Sequence, residues 1–507
     1  MRTEIEGARA QPVDAALLLE GTYPFMRGGV SAWVHRLIEA MPATTFSVVF
    51  LGGRRSDHGA PAYPAPPNLR HLERHYLFDR AEGHPAAAGS GEPAALEDLD
   101  RLHDHLRSTG PQEPPETGLL QRLSRALVEH GGVARDDFLL GEESWQRICH
   151  AHRRDCPEGS FADYFWTVRA MHASLFELAD IARRLPPARL YHAVSTGYAG
   201  LLGTLLHHRS GRPLVLTEHG IYTKERAIDL ASAERMPGDG GEGNGLGFGR
   251  RLWIRFFEGL GRMAYASADP IIALYEGNRQ RQIRDGADPA RTRVIPNGVD
   301  LDRFRALRAE RPSRPPPVLG FLGRVVPIKD VKTFIRAMKA VAARCPEAEG
   351  WIIGPTSEDE GYAAECLQLA SSLGLGGRVT FAGFRPPEEV LPRLGLLVLT
   401  SISEALPLVV LEAFASGLPV LTTDVGACRQ LVEGGTGEDR ALGAAGAVVP
   451  IGDPEATARA ALALLRDPAR WRAAQQAAVR RVETYYTSGQ MIDSYRQIYR
   501  EASAWRA

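Results

Sequence analysis

The chain repeats one rhythm: an apolar run of strand length, a short polar loop, then a stretch with helical spacing of its apolar residues. It begins with Ala15–Glu20, whose loop leads into a segment carrying Val30, Trp33, Val34, Leu37 and Ile38 on one side. Phe46–Leu51 predicts the next strand. Further on, Tyr164–Arg184 predicts a helix, and Arg189–Val194, Pro213–Thr217, Ile271–Leu274 and Arg293–Ile295 predict strands. A second series follows at Val318–Leu322, Trp351–Ile353, Val379–Ala382, Leu396–Thr400 and Val420–Thr423. Helices are predicted over Tyr362–Leu373, Pro407–Ser416 and from Pro454 to the end. Short apolar strands separated by helices imply parallel sheets, whose ligands lie beyond the carboxyl ends of the strands.

Two series imply two α/β domains, since 507 residues exceed one ordinary core. The stretch 302–317, rich in Arg and Pro, is the best linker candidate, which sets a boundary near 310. The first domain then covers 1–310 and the second 311–485. A helix over 486–507 is expected to pack back on the first domain. Between 52 and 160 the pattern weakens and Pro, Ala, Gly, Glu and His dominate, which reads as an insertion with mobile linkers and some helices, Leu119–Glu129 among them. Its His103, His105, His150 and His152 read as surface residues. A glycine-rich mobile segment is expected at 237–249.

Charge narrows the function. Sixty basic residues balance sixty-one acidic ones, so no global field or basic aromatic stripe points to nucleic acid. Five scattered cysteines form no disulfide framework and suit a reducing cytosol. Cys149 and Cys156, with His150 and His152 beside them, are a weak metal candidate. The N-terminus lacks a secretory pattern, and no run of about twenty residues is apolar enough to span a bilayer. A soluble, cytoplasmic protein is expected.

Candidate chemistry falls at the predicted strand ends. Gly28 and Gly29 follow the first strand and permit close backbone approach to a ligand, although that loop lacks the Gly-x-Gly-x-x-Gly dinucleotide pattern. His219 follows the strand Pro213–Thr217. In the second series, Arg324 and Lys329 lie just past the first strand, two cations suited to a diphosphate. Glu404 sits in the loop before the helix at Pro407, and a carboxylate there can accept two sugar hydroxyls. Ala405, Leu406, Pro407 and Leu408 follow it as candidate substrate-binding residues, and the helix start around Leu406–Val409 offers unpaired N–H groups and a positive dipole end suited to phosphate. Glu412 follows inside the helix. Two such halves facing across a cleft would make a nucleotide-sugar site.

GRVVPIKD, SISEALPLVVLEAFASGLPV and IPNGVD resemble the C-terminal motifs of the family 4 retaining glycosyltransferases, and the Glu404–Glu412 spacing resembles that family's Glu-x7-Glu signature. GTYPFMRGGVSAWVHRL, YHAVSTGYAGLLG and LTEHGIYTKER are similar, more narrowly, to the cytosolic members that serve Pel-type exopolysaccharide assembly. The resemblance implies the GT-B fold, two Rossmann-like domains across a cleft, and retaining transfer of a hexosamine-type sugar from a UDP-sugar to a polysaccharide acceptor. It implies no metal, and partners among inner-membrane assembly proteins that would recruit the enzyme to the membrane. By that likeness Arg324 and Lys329 would neutralise the diphosphate, Glu404 would contact the transferred sugar and Glu412 the ribose. Gly28 and Gly29 would approach the diphosphate or the acceptor from the other domain, and His219 would face the sugar. Ala405 and Asp330 stand where the family commonly has glycine, and a methyl at 405 would restrict the loop if the backbone there needed a positive φ. A sugar-nucleotide epimerase using the same cleft, or a non-catalytic UDP-sugar-sensing subunit, are the alternatives.

Overall fold

Strands β1 (Val13–Glu20) and β2 (Phe46–Gly52) are almost wholly buried, and every pairing they make is parallel. That is the behaviour of apolar runs covered by helices on both faces. The computed structural model describes residues 12–79, 93–107, 117–128, 135–157, 159–232 and 247–504. The segment 83–92, most of the stretch 108–118 and the glycine-rich 237–246 lie outside the described residues.

The first sheet adds β3 (Leu69–Tyr76), β4 (Ala188–Ala193), β5 (Leu214–Glu218), β6 (Ile271–Ala273) and β7 (Thr292–Val294) in the order β3-β2-β1-β4-β5-β6-β7. The second contains β8 (Val318–Leu322), β9 (Glu349–Ile353), β10 (Val379–Gly383), β11 (Leu396–Leu399), β12 (Val420–Thr423) and β13 (Gly446–Val449), in the order β10-β9-β8-β11-β12-β13. Both are doubly wound. Strand order reverses between β1 and β4 in one and between β8 and β11 in the other, where crevices for ligands open.

The chain divides into two compact units, Ile295–Ser494 and the remainder, with the residues from Tyr495 onward belonging to the first. Tyr495 and Tyr499, on the helix Ser488–Ala504, are buried in that first unit. The hydroxyl of Tyr499 lies 2.7 Å from His192 Nδ1, whose Nε2 is 2.8 Å from Thr217 Oγ1. A fully enclosed imidazole has both nitrogens satisfied there. Each buried Leu of β1 stabilises the core by about 1.5–3 kcal/mol.

Three features differ from the sequence reading. The insertion contributes a strand, because β3 pairs along the whole of β2. His103 and His105 are half-buried rather than on the surface: their helix, Pro93–Arg107, packs inward, and Arg262 donates to the carbonyl of His105 at 3.1 Å. The stretch 302–317 is held within the second unit, where it forms the short helix Leu301–Arg305 and sends Arg308 and Arg311 inward. Arg308 Nε donates to Ala415 O at 2.7 Å, and Arg311 donates to the carbonyls of Ser416, Leu394 and Leu391 at 2.8–2.9 Å. These guanidiniums sit at the carboxyl end of the helix Leu408–Ala415, where cations are favoured.

Asp330 has a φ of 44°, the one positive value among the described non-glycine residues, and its carboxylate accepts from Thr333 N at 3.2 Å as the cap of the helix Val331–Ala342. Asp330→Ala keeps the strained backbone and loses the cap. It should destabilise the second unit by about 1–2 kcal/mol in denaturant titrations, whereas Asp330→Gly, which trades cap for freedom, should stay within about 1 kcal/mol of the parent.

Burial also pulls His172 down to about 4 and His192, further disfavoured by neighbouring His219, down to about 3. The unfolded chain protonates these rings near their ordinary value while the folded chain does not, so acid favours unfolding. Thermal melts should show the first unit losing up to about 1.4 kcal/mol per pH unit per histidine below pH ~6.5. An unchanged melt between pH 7.5 and 5 would contradict this.

Candidate active site

The second sheet's reversal brings Lys329 and Glu404 into contact, while Arg324 and Glu412 have other neighbours. Gly323 ends β8, and Gly354 beyond β9 approaches so closely that a Cβ on it would lie 1.9 Å from the Gly323 carbonyl. This fixes the backbone at Arg324. The chain then turns through Pro327–Lys329 into Asp330. From the other side of the reversal β11 delivers Thr400, whose hydroxyl donates to the carbonyls of Lys329 (3.1 Å) and Asp330 (2.9 Å). Ile402 N donates to Ile328 O at 2.9 Å. The loops after β8 and β11 are therefore one hydrogen-bonded unit.

At its centre Lys329 Nζ donates to Glu404 Oε1 at 2.5 Å, and Ser401 Oγ donates to the same oxygen at 2.6 Å. Both charged side chains are largely enclosed, 19% and 11% exposed. Arg324 pairs instead with Glu358, a residue the motifs did not indicate, in a more open position. Ala405 does not take a positive φ, so its methyl is accommodated. Leu406 and Pro407 are buried, and Asn297 of the IPNGVD turn donates to Leu406 O at 3.3 Å. Pro407 caps the helix Leu408–Ala415, whose first turn leaves amides without a preceding carbonyl. Glu412, half-buried in that helix, lies close enough to Arg303 to raise the guanidinium's pKa, behind the larger effect of Arg303's bond to Glu388. A cation, a shared carboxylate and a helix start can hold an anion with its sugar.

The first sheet's reversal holds a separate cavity of about 400 Å³. Glu20, at the end of β1, lines it with Ser195, His219, Tyr222 and Arg226. Tyr222 donates to Glu20 Oε1 at 2.5 Å, and Tyr198 N and Ser195 Oγ donate to Oε2 at 3.0 and 3.3 Å. Burial and the Glu20 carboxylate raise the Tyr222 hydroxyl well above its ordinary pKa. Beneath lies Glu218, fully buried and raised by desolvation, with four donors: Tyr265 (2.6 Å), Gln282 (2.9 Å), Thr196 (3.2 Å) and Tyr222 N (3.4 Å). His219 packs edge-on against Trp33 at 4.6 Å; its Nε2 is enclosed without a hydrogen-bond partner, and burial pulls the ring down to about 3. Gly28 and Gly29 are exposed at the start of the helix Gly29–Glu39 and do not line the cavity, although Val30 does. Glu20 and Glu218 escaped the sequence reading, and their signal was a carboxylate closing an apolar strand.

Among the described residues no three His, Cys, Asp or Glu are grouped to hold a metal. Two Asp-x-Asp triplets occur and are engaged otherwise: Asp98 and Asp100 pair with Arg122 and Arg147, and Asp300 accepts from Asp302 N. His152 contacts Gly159 O at 3.0 Å. No helix among the described residues is long and apolar enough to cross a membrane.

Two doubly wound parallel sheets, each with its candidate site at the reversal, define a GT-B protein. Residues 13–290 match a domain family of unknown function, DUF3492, and residues 316–467 match the family described as Glycosyl transferases group 1. The D-inositol 3-phosphate glycosyltransferase of Nocardia farcinica (strain IFM 10152) is 34% identical over 276 residues, 51% of this chain and 57% of its own length. That of Rhodococcus opacus (strain B4) is 30% identical over 323 residues, 60% and 67%. The match thus spans a little over half to two thirds of these relatives. Among solved structures, sucrose-phosphate synthase from Thermosynechococcus elongatus superposes with a TM-score of 0.57 at 19% identity, covering 96% of this chain and 98% of its own. Anabaena HepE in complex with UDP and glucose does so with 0.57 at 17%, covering 97% and 100%. Both likenesses are of fold. The chain belongs to the group 1 glycosyltransferases, and its first unit to the DUF3492 family.

Gly426, with a φ of 54°, backs the site: a Cβ on it would lie 2.2 Å from Glu404 O and 2.5 Å from Ala405 O. Backbone cannot yield as a side-chain tip can. Gly426→Ala should displace the Glu404 loop, weaken binding of a UDP probe at least about tenfold and destabilise the second unit by about 2 kcal/mol or more. Calorimetry and melting on one preparation would check both.

Proposed function

We propose that this protein is a retaining glycosyltransferase that moves a hexosamine-type sugar from a UDP-sugar to a growing exopolysaccharide, as the PelF enzymes of Pel assembly do, working in the cytoplasm and recruited to an inner-membrane complex. The observation that carries this reading is the Lys329–Glu404 pair beside Arg324 at the reversal of the second sheet. Departure of the diphosphate builds negative charge, and preorganised cations with a helix start oppose that charge at little reorganisation cost. In this account Lys329 and Arg324 take the diphosphate, the helix start around Leu406–Val409 presents amides to it, Glu404 orients the transferred sugar and Glu412 holds the ribose. His219 faces the sugar, and the Gly28–Gly29 turn serves the diphosphate or the acceptor. No side-chain nucleophile is invoked, because attack occurs on the face from which the leaving group departs, and no metal is required, because Lys329 and Arg324 oppose the diphosphate charge instead. The N-terminal likeness to PelF and the fold shared with a UDP-bound neighbour support the donor class.

Calorimetric titration with UDP, with and without magnesium, tests the site. Binding should persist without metal and weaken in Glu412→Ala, while Lys329→Ala should lower turnover by about 10²-fold or more. Turnover near the parent value in Lys329→Ala would sink the electrostatic account. Product analysis separates an epimerase, which would alter the sugar of the donor without consuming an acceptor.

A further inference from the structure

Two tryptophans on neighbouring helices of the first unit stand where packing does not account for them. The helix Phe161–Arg184 buries Tyr164, Val168, Met171 and Leu175 along one side. Trp166 lies two residues from both Tyr164 and Val168, about 200° around the helix from each, and is 58% exposed. Trp145, on the helix Glu142–Asp155, is 45% exposed, and Leu140, at the end of the helix Arg135–Leu140, is exposed beside them. Phe165 joins the two indoles, its ring 5.5 Å from Trp145 and 5.2 Å from Trp166. These rings make one aromatic surface, and a continuous exposed surface marks a place of contact where scattered apolar residues would not.

Polar groups of both signs border it. The guanidinium of Arg169 sits over Phe165 and Trp166, 5.8 and 5.6 Å from their centres, and gives one of its several N–H groups to Leu139 O at 2.5 Å. Glu142 precedes Trp145 by about one helical turn, and Asp163 precedes Trp166 by the same interval. An anionic bilayer would meet both carboxylates as like charges, and a dry protein face would have to bury charges of both signs. A neutral, polyhydroxylated ligand complements the whole set. Its C–H faces lie on the aromatic rings, its hydroxyl oxygens accept from Arg169, and its hydroxyl protons go to the carboxylates.

We infer that this surface is a second glycan-binding site, separate from the cavity at Glu20, and that it holds a neutral N-acetylhexosamine chain with Trp145 and Trp166 each covering a sugar ring. The choice of sugar rests on the transferase reading; the aromatic surface does not. A long chain gripped here is kept at high effective concentration near the enzyme between additions, while an acceptor too short to occupy two sites gains nothing.

The test uses the full-length protein with hexa-N-acetylchitohexaose as probe, read by tryptophan fluorescence and calorimetry. Binding should shift the parent's emission to shorter wavelength, because stacking takes exposed indoles out of water. Trp145→Ala and Trp166→Ala should each weaken binding about tenfold, and the double variant should lose the shift. UDP affinity should be unchanged in all of them, which reports an intact protein. No binding by a parent that binds UDP, or a parental shift and affinity in the double variant, overturns the inference. So does a double variant that keeps the hexasaccharide but loses binding to vesicles of phosphatidylglycerol and phosphatidylethanolamine, or loses a sedimenting dimer; the surface would then belong to a bilayer or to a second copy. A parent that fails to bind UDP overturns the transferase reading instead, and the hexasaccharide arm still decides whether the surface holds a glycan.

Discussion

Lys329 and Glu404 are useful only together. An ammonium and a carboxylate 2.5 Å apart, mostly enclosed, each lower the cost of holding the other's charge away from water. Removing either would strand its partner. Much of the neighbouring loop structure serves to make that meeting possible: Thr400 binds the backbone of residues 329 and 330, Ile402 pairs with Ile328, Thr423 donates to Ser401 O at 2.6 Å, and Ala427 N donates to Ala405 O at 2.8 Å. A site prepared in this way keeps its charges in place before a ligand arrives. In the proposed function a diphosphate entering it would meet a lysine already oriented, and little rearrangement would remain at the moment of charge development.

The two units use one topology for two kinds of polar environment. In each, strand order reverses and a carboxylate lies at or beyond the end of a strand at that reversal, Glu20 as the last residue of β1 and Glu404 in the loop after β11. Glu404 is met by a cation and a hydroxyl; Glu20 is met by two hydroxyls and a backbone amide. The first arrangement cancels charge and sits beside the start of a helix, so its field suits an anion. The second meets its carboxylate with neutral donors. The two polar environments therefore differ in what each carboxylate is paired with.

Much of this was legible in the amino-acid order. The apolar runs of β1, β2, β8, β11 and β12 are strands because a parallel strand covered on both faces must be apolar throughout, and such runs are easy to see. β3 was hidden because LRHLERHY is an edge strand with half-exposed side chains and few apolar residues. The second-unit site was legible because its residues lie close to recognisable strand ends and within recognisable motifs. The Glu20 cluster was not, since Tyr222 is 202 residues away from Glu20 and the motif that carries Tyr222 gives no sign of that partner. His103 and His105 misled for a related reason: a helix in polar, glycine-rich surroundings gives no sign of what will cover it. The Arg308–Arg311 pair was mistaken for linker because its function, capping carbonyls about a hundred residues on, is invisible locally.

The departures from the family's glycines resolve in opposite directions. Ala405 needs no special backbone, and its methyl leaves the Glu404 loop as it was. Asp330 does occupy a conformation that glycine would adopt without strain, at φ 44°, directly after Lys329. There its carboxylate caps the following helix while its carbonyl accepts from Thr400. Glycine would adopt that turn more cheaply but would also allow the unliganded chain many others. Aspartate strains one backbone position and ties the lysine, through a cap on one side and a hydroxyl on the other, to two rigid elements. In the proposed mechanism a cation must be in place before the leaving group forms, and there that restriction would be the more useful property.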